Sequence, residues 1–144
     1  MEHPTVHYRK DGIVTFDATT DKIFGYMSIG GHQHRAFKSH TLVGVSGYMV
    51  TIDAEIYNPD GTTFNTIITH KLNRPTGVET AMRGGAFDGA TFAHTYTPLG
   101  EQTKVDLEGE FPAFPGMSEA DELKMIDDFF TTVFAEDNVT LRGL

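Results

Sequence analysis

A chain of 144 residues, 39% apolar and 22% charged, is long enough to close a hydrophobic core of its own. Its net charge of −9, with 11 scattered basic residues, excludes nucleic acid or an anionic membrane as the main partner, because phosphate binding needs clustered Lys and Arg. Cysteine is absent, which excludes disulfides, thiolate metal sites and cysteine nucleophiles and fits a reducing cytoplasm.

The opening Met-Glu-His-Pro has neither a basic segment nor an apolar run, and no stretch reaches the length of a membrane span. The expectation is a soluble cytoplasmic protein in which residues 1–144 form a single domain without stable membrane insertion. Thr5–Phe16 alternates and is rich in β-formers, with Asp11-Gly12 as an irregularity, so it reads as a long first strand. Asp17–Thr20 supplies capping residues for a short helix over Asp21–Met27, where Ile23, Phe24 and Met27 form an apolar stripe. Gly30-Gly31 ends it, and His32–Lys38 reads as a second helical turn. Six strands follow: His40–Val45, Tyr48–Tyr57, Thr62–Leu72, Gly77–Arg83, Ala90–Pro98 and Gln102–Phe111. The turns between them are short, so neighbours are antiparallel.

The last element is an amphipathic helix over Ser118–Glu136, roughly 28 Å long at about 1.5 Å per residue. Ser118 is its N-cap, Asp121 completes a capping box, and Glu119, Asp121 and Glu122 set negative charge in the first turn. Leu123, Ile126, Phe130, Val133 and Phe134 share one face, while Lys124, Asp127 and Asp128 point to water. Alternation tells which strand residues meet that face. Val50, Ile52, Ala54 and Ile56 share a side; Phe64, Ile68 and Leu72 share theirs with His70; Phe92 and Tyr96 share theirs with His94. Both histidines therefore point inward.

Ala18–Met27 after a first strand, Tyr57–Gly61, the strand around Thr91–Tyr96 and the terminal helix after Phe111–Gly116 together resemble the SRPBCC or START-like superfamily, which includes polyketide cyclases and the birch-pollen allergen group. The resemblance covers nearly the whole chain and rests on element order. It implies an α+β helix-grip fold, with a curved antiparallel sheet of about seven strands wrapped around the long C-terminal helix and two short helices after the first strand. It also implies a cavity between sheet and helix for a hydrophobic or amphipathic molecule. Many relatives carry an aromatic-rich stretch, often with Trp, after the first short helix; here Gly30-Gly31-His32-Gln33-His34 stands there, and the chain has no Trp.

His70 and His94 suit either a general acid/base pair or cavity-wall rings satisfied by a hydroxyl such as that of Thr66 or Tyr96. His32, His34 and His40 lack the spacing of a metal site and read as exposed loop histidines, so neither a metal nor another cofactor is expected. Gly84–Gly89 reads as a flexible hairpin with Phe87 at its tip, as a gate at the cavity mouth or as a plain turn. Phe114 reads as a plug. No hydrolase, kinase or dinucleotide motif is present.

The functional expectation is binding of a small hydrophobic or amphipathic molecule, as carrier, sensor or lipid binder. Tyr26, Phe64, Ile68, His70, Phe92, His94, Tyr96, Phe130 and Val133 are the candidate ligand-binding residues, with the two histidines and Tyr96 at the polar end. A cyclase- or dehydratase-like enzyme, with His70, His94 or Tyr96 as catalytic candidates, is the first alternative. A chaperone-cofactor-like interaction domain, which needs a filled cavity and an exposed apolar patch, is the second.

Overall fold

The computed structural model describes residues 5–29, 34–58 and 60–144. In order, these form β1 (Thr5–Phe16), α1 (Thr20–Ile29), β2 (Phe37–Ser46), β3 (Met49–Tyr57), β4 (Thr63–Asn73), β5 (Gly77–Arg83), β6 (Thr91–Leu99), β7 (Gln102–Pro112) and α2 (Glu119–Arg142). The strands make one antiparallel sheet in the order β1-β7-β6-β5-β4-β3-β2, so consecutive hairpins carry the chain back until β7 meets β1. The sheet grips α2 as a helix-grip fold. Among the described residues no helix is long and apolar enough to cross a membrane.

Period-two patterning lays out the concave face. Val50, Ile52, Ala54 and Ile56 of β3 are each at most 1% exposed, and Val105 and Leu107 of β7 are fully buried. The irregularity at Asp11-Gly12 is present: β1 slips against β7 between Lys10 and Val14, where the Gly12 amide donates to Asp106 at 2.7 Å. The second short helix is not. Arg35 and Ala36 form a turn and β2 starts at Phe37, while His32 and Gln33 lie outside the described residues. Pairing with β3 satisfies this backbone from Ala36 onward, where a single helical turn would satisfy almost none of it.

Ser118 caps α2, its hydroxyl accepting from the Asp121 amide at 3.1 Å. The helix runs six residues past Glu136 because its buried stripe continues from Ile126, Phe130 and Phe134 to Asp137 and Leu141. Two of its acids are not simply solvated. Asp127 accepts from the Tyr8 hydroxyl at 2.7 Å and from Lys10 at 3.0 Å. Glu122 is buried and receives the Phe114 amide at 2.8 Å, tying the loop before the helix to its first turn. Aromatic rings fill the space beneath: Phe130 lies 4.9 Å from Phe92 and 5.8 Å from Phe111, and Phe134 lies 5.9 Å from Phe16.

Two glycines let backbones approach within the curved sheet. A Cβ at Gly77 would lie 2.0 Å from the His94 carbonyl oxygen, and one at Gly109 would lie 2.4 Å from that of Thr91. Gly77→Ala is expected to lower stability by about 3 kcal/mol, because backbone on the neighbouring strand has to move. A urea melt reads this directly, and an unchanged midpoint would refute it.

Candidate functional site

Between the concave sheet, α1, β2 and the middle of α2 lies a cavity of about 80 Å³. Its walls are mostly apolar: Phe16 from β1, Ile23 and Met27 from α1, Phe37 from β2, Ile68 from β4, Met82 from β5, Phe92 from β6, and Phe129, Phe130, Val133, Phe134 and Leu141 from α2. Seven polar side chains interrupt them: Tyr26, His34, His40, His70, His94, Tyr96 and Asp137. Of the residues expected from sequence, Tyr26, Ile68, His70, Phe92, His94, Tyr96, Phe130 and Val133 all border this cavity. Phe64 does not. It lines a neighbouring groove of about 340 Å³ with Ile56, Phe87, Phe114, Met125 and Phe129, so Phe129 alone of these borders both spaces.

His94 sits deep in β6, 7% exposed, its ring parallel to Phe92 at 5.8 Å and edge-on to Phe134 at 5.2 Å. Among the described residues neither of its ring nitrogens has a hydrogen-bonding partner. Burial pushes its pKa down to about 4, against the weaker upward pull of Asp137, so the ring is neutral at physiological pH. His70 is half-buried, and its Nδ1 lies 2.8 Å from the Thr80 hydroxyl. That hydroxyl takes the role expected of Thr66, which donates instead to the Arg83 carbonyl. Burial and the charge of Asp137 hold the Tyr96 phenol above its ordinary pKa.

The charged end of the cavity was not foreseen. His34 is 8% exposed rather than a loop histidine in water, and its two ring nitrogens face Glu136 at 3.0 Å and Asp137 at 3.1 Å. Tyr26 donates to the same Asp137 oxygen at 2.6 Å, and Arg35 reaches Glu136 at 3.0 Å. Burial is the largest influence on His34 and lowers its pKa, but Asp137 and Glu136 together outweigh it, leaving the net shift upward. His40 is half-buried at the cavity wall, 6.4 Å from His34 between ring centroids. A sequence signal for Asp137 existed in the three- and four-residue stripe that continues past Phe134 to Leu141. His34 carried none, since its burial depends on which helix residues its loop meets.

Phe87 is also misplaced by the hairpin reading. It is 5% exposed and packs on Phe64, Phe111, Phe114 and Phe129, because the glycine-rich turn folds inward over the open end of the sheet. Among the described residues no group of three or more His, Asp or Glu is arranged to hold a metal ion.

No protein-family model matches the sequence, and no curated protein matches it. Solved structures do. A START superfamily protein from Mycobacterium smegmatis superposes with a TM-score of 0.75 at 14% identity over 96% of this chain and 98% of that one. The chain has the START-like helix-grip fold. Ara h 8.0201 gives a TM-score of 0.72 at 12% identity, over 98% of this chain and 100% of that one. The di-domain ARO/CYC protein StfQ from the steffimycin biosynthetic pathway gives 0.71 at 13%, over 95% of this chain and 49% of that one. This chain thus spans about half the length of StfQ.

The two buried histidines make opposite contributions to acid stability. His94 has a folded pKa below its unfolded 6.5, so the unfolded state binds more protons and stability falls as pH drops from 6.5 towards about 4. Replacing it as His94→Gln should remove about 2 to 3 kcal/mol of the loss between neutral pH and pH 4.5, read from urea midpoints. For His34 the folded pKa is raised, so its stabilisation is complete below 6.5 and disappears as pH rises through the folded value. The midpoint gap between the parent protein and His34→Gln should accordingly be wide at pH 6 and narrow at pH 9; a gap independent of pH would contradict the ion-pair assignment.

Proposed function

We propose that the protein binds a small, largely apolar molecule carrying one uncharged polar group, in the cavity between the sheet and α2. The observation behind this reading is His94: a neutral imidazole, buried at the cavity wall, with both ring nitrogens unpartnered among the described residues. A buried polar group without a hydrogen bond costs about 1–3 kcal/mol, which a ligand hydroxyl or carbonyl would recover. A neutral ring donates at one nitrogen and accepts at the other, so it suits either. Ile68, Phe92, Phe130 and Val133 supply apolar contact, worth about 25 cal/mol per Å² removed from water. Tyr26, His70 and Tyr96 are further polar positions lining the same cavity.

The cavity's 80 Å³ is below the roughly 150 Å³ that accommodates benzene in an engineered protein core. As it stands it suits a molecule of a few heavy atoms. A larger one needs the Phe129 ring to swing aside and join the cavity to the adjacent groove.

A catalytic reading draws support from the structural likeness to the ARO/CYC protein and from the histidines around one cavity. His94, with a pKa near 4, is a weak base; His70, hydrogen-bonded to Thr80, is the second imidazole that such a reaction could use. The chaperone-cofactor reading is disfavoured by a cavity that side chains leave open.

Native mass spectrometry before and after denaturation tests for a co-purified molecule, and titration with phenol and 2-naphthol tests the chemistry. We expect saturable phenol binding, with the Phe129 ring swung aside to admit it, weakened tenfold or more by His94→Phe, a loss of about 1.4 kcal/mol. Phe129→Ala should favour 2-naphthol over phenol. Equal phenol affinity in the parent protein and His94→Phe would refute the role of that ring.

A further inference from the structure

Phe129 and His34 each border the ligand cavity on one side and an open groove on the other. Phe129 faces the groove lined by Phe64 and Phe114, and its ring packs against Phe37, Phe87 and Phe130 with centroids 6.2, 5.9 and 5.1 Å away. Nothing in that packing titrates. His34 faces a surface groove of about 520 Å³ lined by Arg35, Glu136, Val139 and Thr140. Charge holds this second ring, with Nδ1 3.0 Å from Glu136 and Nε2 3.1 Å from Asp137. A neutral imidazole carries hydrogen on one nitrogen only, so the imidazolium alone satisfies both carboxylates. The side chain is 3% exposed, and the groove outside it gives the ring somewhere to turn once one of those bonds is lost.

We propose that His34 is a proton-operated door to the ligand cavity, shut while its ring carries a charge and loosened when the charge is lost. The proposal rests on the cavity being the binding site, and adds how a molecule enters and leaves it. The elements packed around His34 all bring polar groups. α2 supplies Glu136 and Asp137, and α1 supplies Tyr26, bonded to Asp137. The turn before β2 supplies Arg35, bonded to Glu136, and β2 supplies His40, 6.4 Å away between ring centroids. From β6, His94 and Tyr96 feel the charge of Asp137. Burial keeps His94 neutral and holds the phenols of Tyr26 and Tyr96 above their ordinary range, so none of these three changes charge near neutral pH. Burial also pulls His34 down, but Asp137 and Glu136 outweigh it. As pH rises through the folded value of His34, one ring nitrogen turns a lone pair towards a carboxylate and attraction there becomes repulsion. Entry and exit then quicken together, because a door alters both rates and leaves the occupant's contacts inside unchanged.

Release of bound 2-naphthol, followed by stopped-flow fluorescence on displacement with excess phenol, tests this. In the parent protein release should be about tenfold faster at pH 9 than at pH 6, the effect of losing one charge-assisted hydrogen bond, with Kd for the neutral probe unchanged. His34→Gln should release the probe quickly at both pH values with the same Kd, and His40→Gln should keep the pH dependence of the parent. Val139→Phe narrows the outer groove at a position 66% exposed, so it should slow release at both pH values and leave the thermal melt unchanged. Release that ignores pH in the parent would overturn the door while leaving the cavity as the binding site. So would a pH dependence that persists in folded His34→Gln or disappears in His40→Gln. Release from Val139→Phe at the parent's rate would overturn it too, a readout that holds even where His34→Gln fails to fold. Absence of saturable binding at either pH would defeat the cavity reading itself, and the door with it.

Discussion

The structure depends on one constraint: a single helix has to satisfy a concave sheet much wider than itself. Ile126, Phe130, Phe134 and Leu141 lie along one stripe of α2, and rings of the sheet, Phe16, Phe92 and Phe111, meet its two phenylalanines. Rings span the distance between a rod and a curved surface, but flat shapes packed edge to face do not fill it. The cavity is what is left over. The sheet can bend around the helix because Gly77 and Gly109 allow neighbouring backbones inside the distance any side chain would permit.

The polar side chains follow from the same geometry. Extending the helix stripe brings Asp137 into the interior, and a buried carboxylate is tolerable only with donors around it. Tyr26 from α1 and His34 from the segment before β2 provide them, so one acid joins three parts of the chain that are far apart in sequence. The two carboxylates beside His34 raise its pKa, whereas burial in an apolar wall lowers that of His94. Two imidazoles bordering one cavity thus have opposite shifts, set by whether a carboxylate hydrogen-bonds the ring.

Much of this was legible in the sequence. Period-two alternation marked β1, β3, β4 and β6, because one wet face and one dry face leave a plain imprint, and it turned His70 and His94 inward. The helix start was marked by Pro115-Gly116 and Ser118. The helix end was not, since Asp137-Asn138 looks like a polar stop until the donors that neutralise Asp137 are known. His34, Phe87 and the start of β2 were misjudged for a common reason. Each lies in or beside a glycine-rich segment, where local composition allows many conformations and distant partners choose among them. The buried Glu122 belongs with these, for its surroundings come from a loop folding back from Phe114.

A void walled by rings also makes the fold sensitive to compression. Collapsing 80 Å³ on unfolding would release about 50 mL per mole, within the range by which hydrostatic pressure destabilises folded proteins. The unliganded protein is then softest at its own centre. Whatever fills that space acts as an internal strut, and resistance to pressure becomes a property of the occupant as much as of the chain.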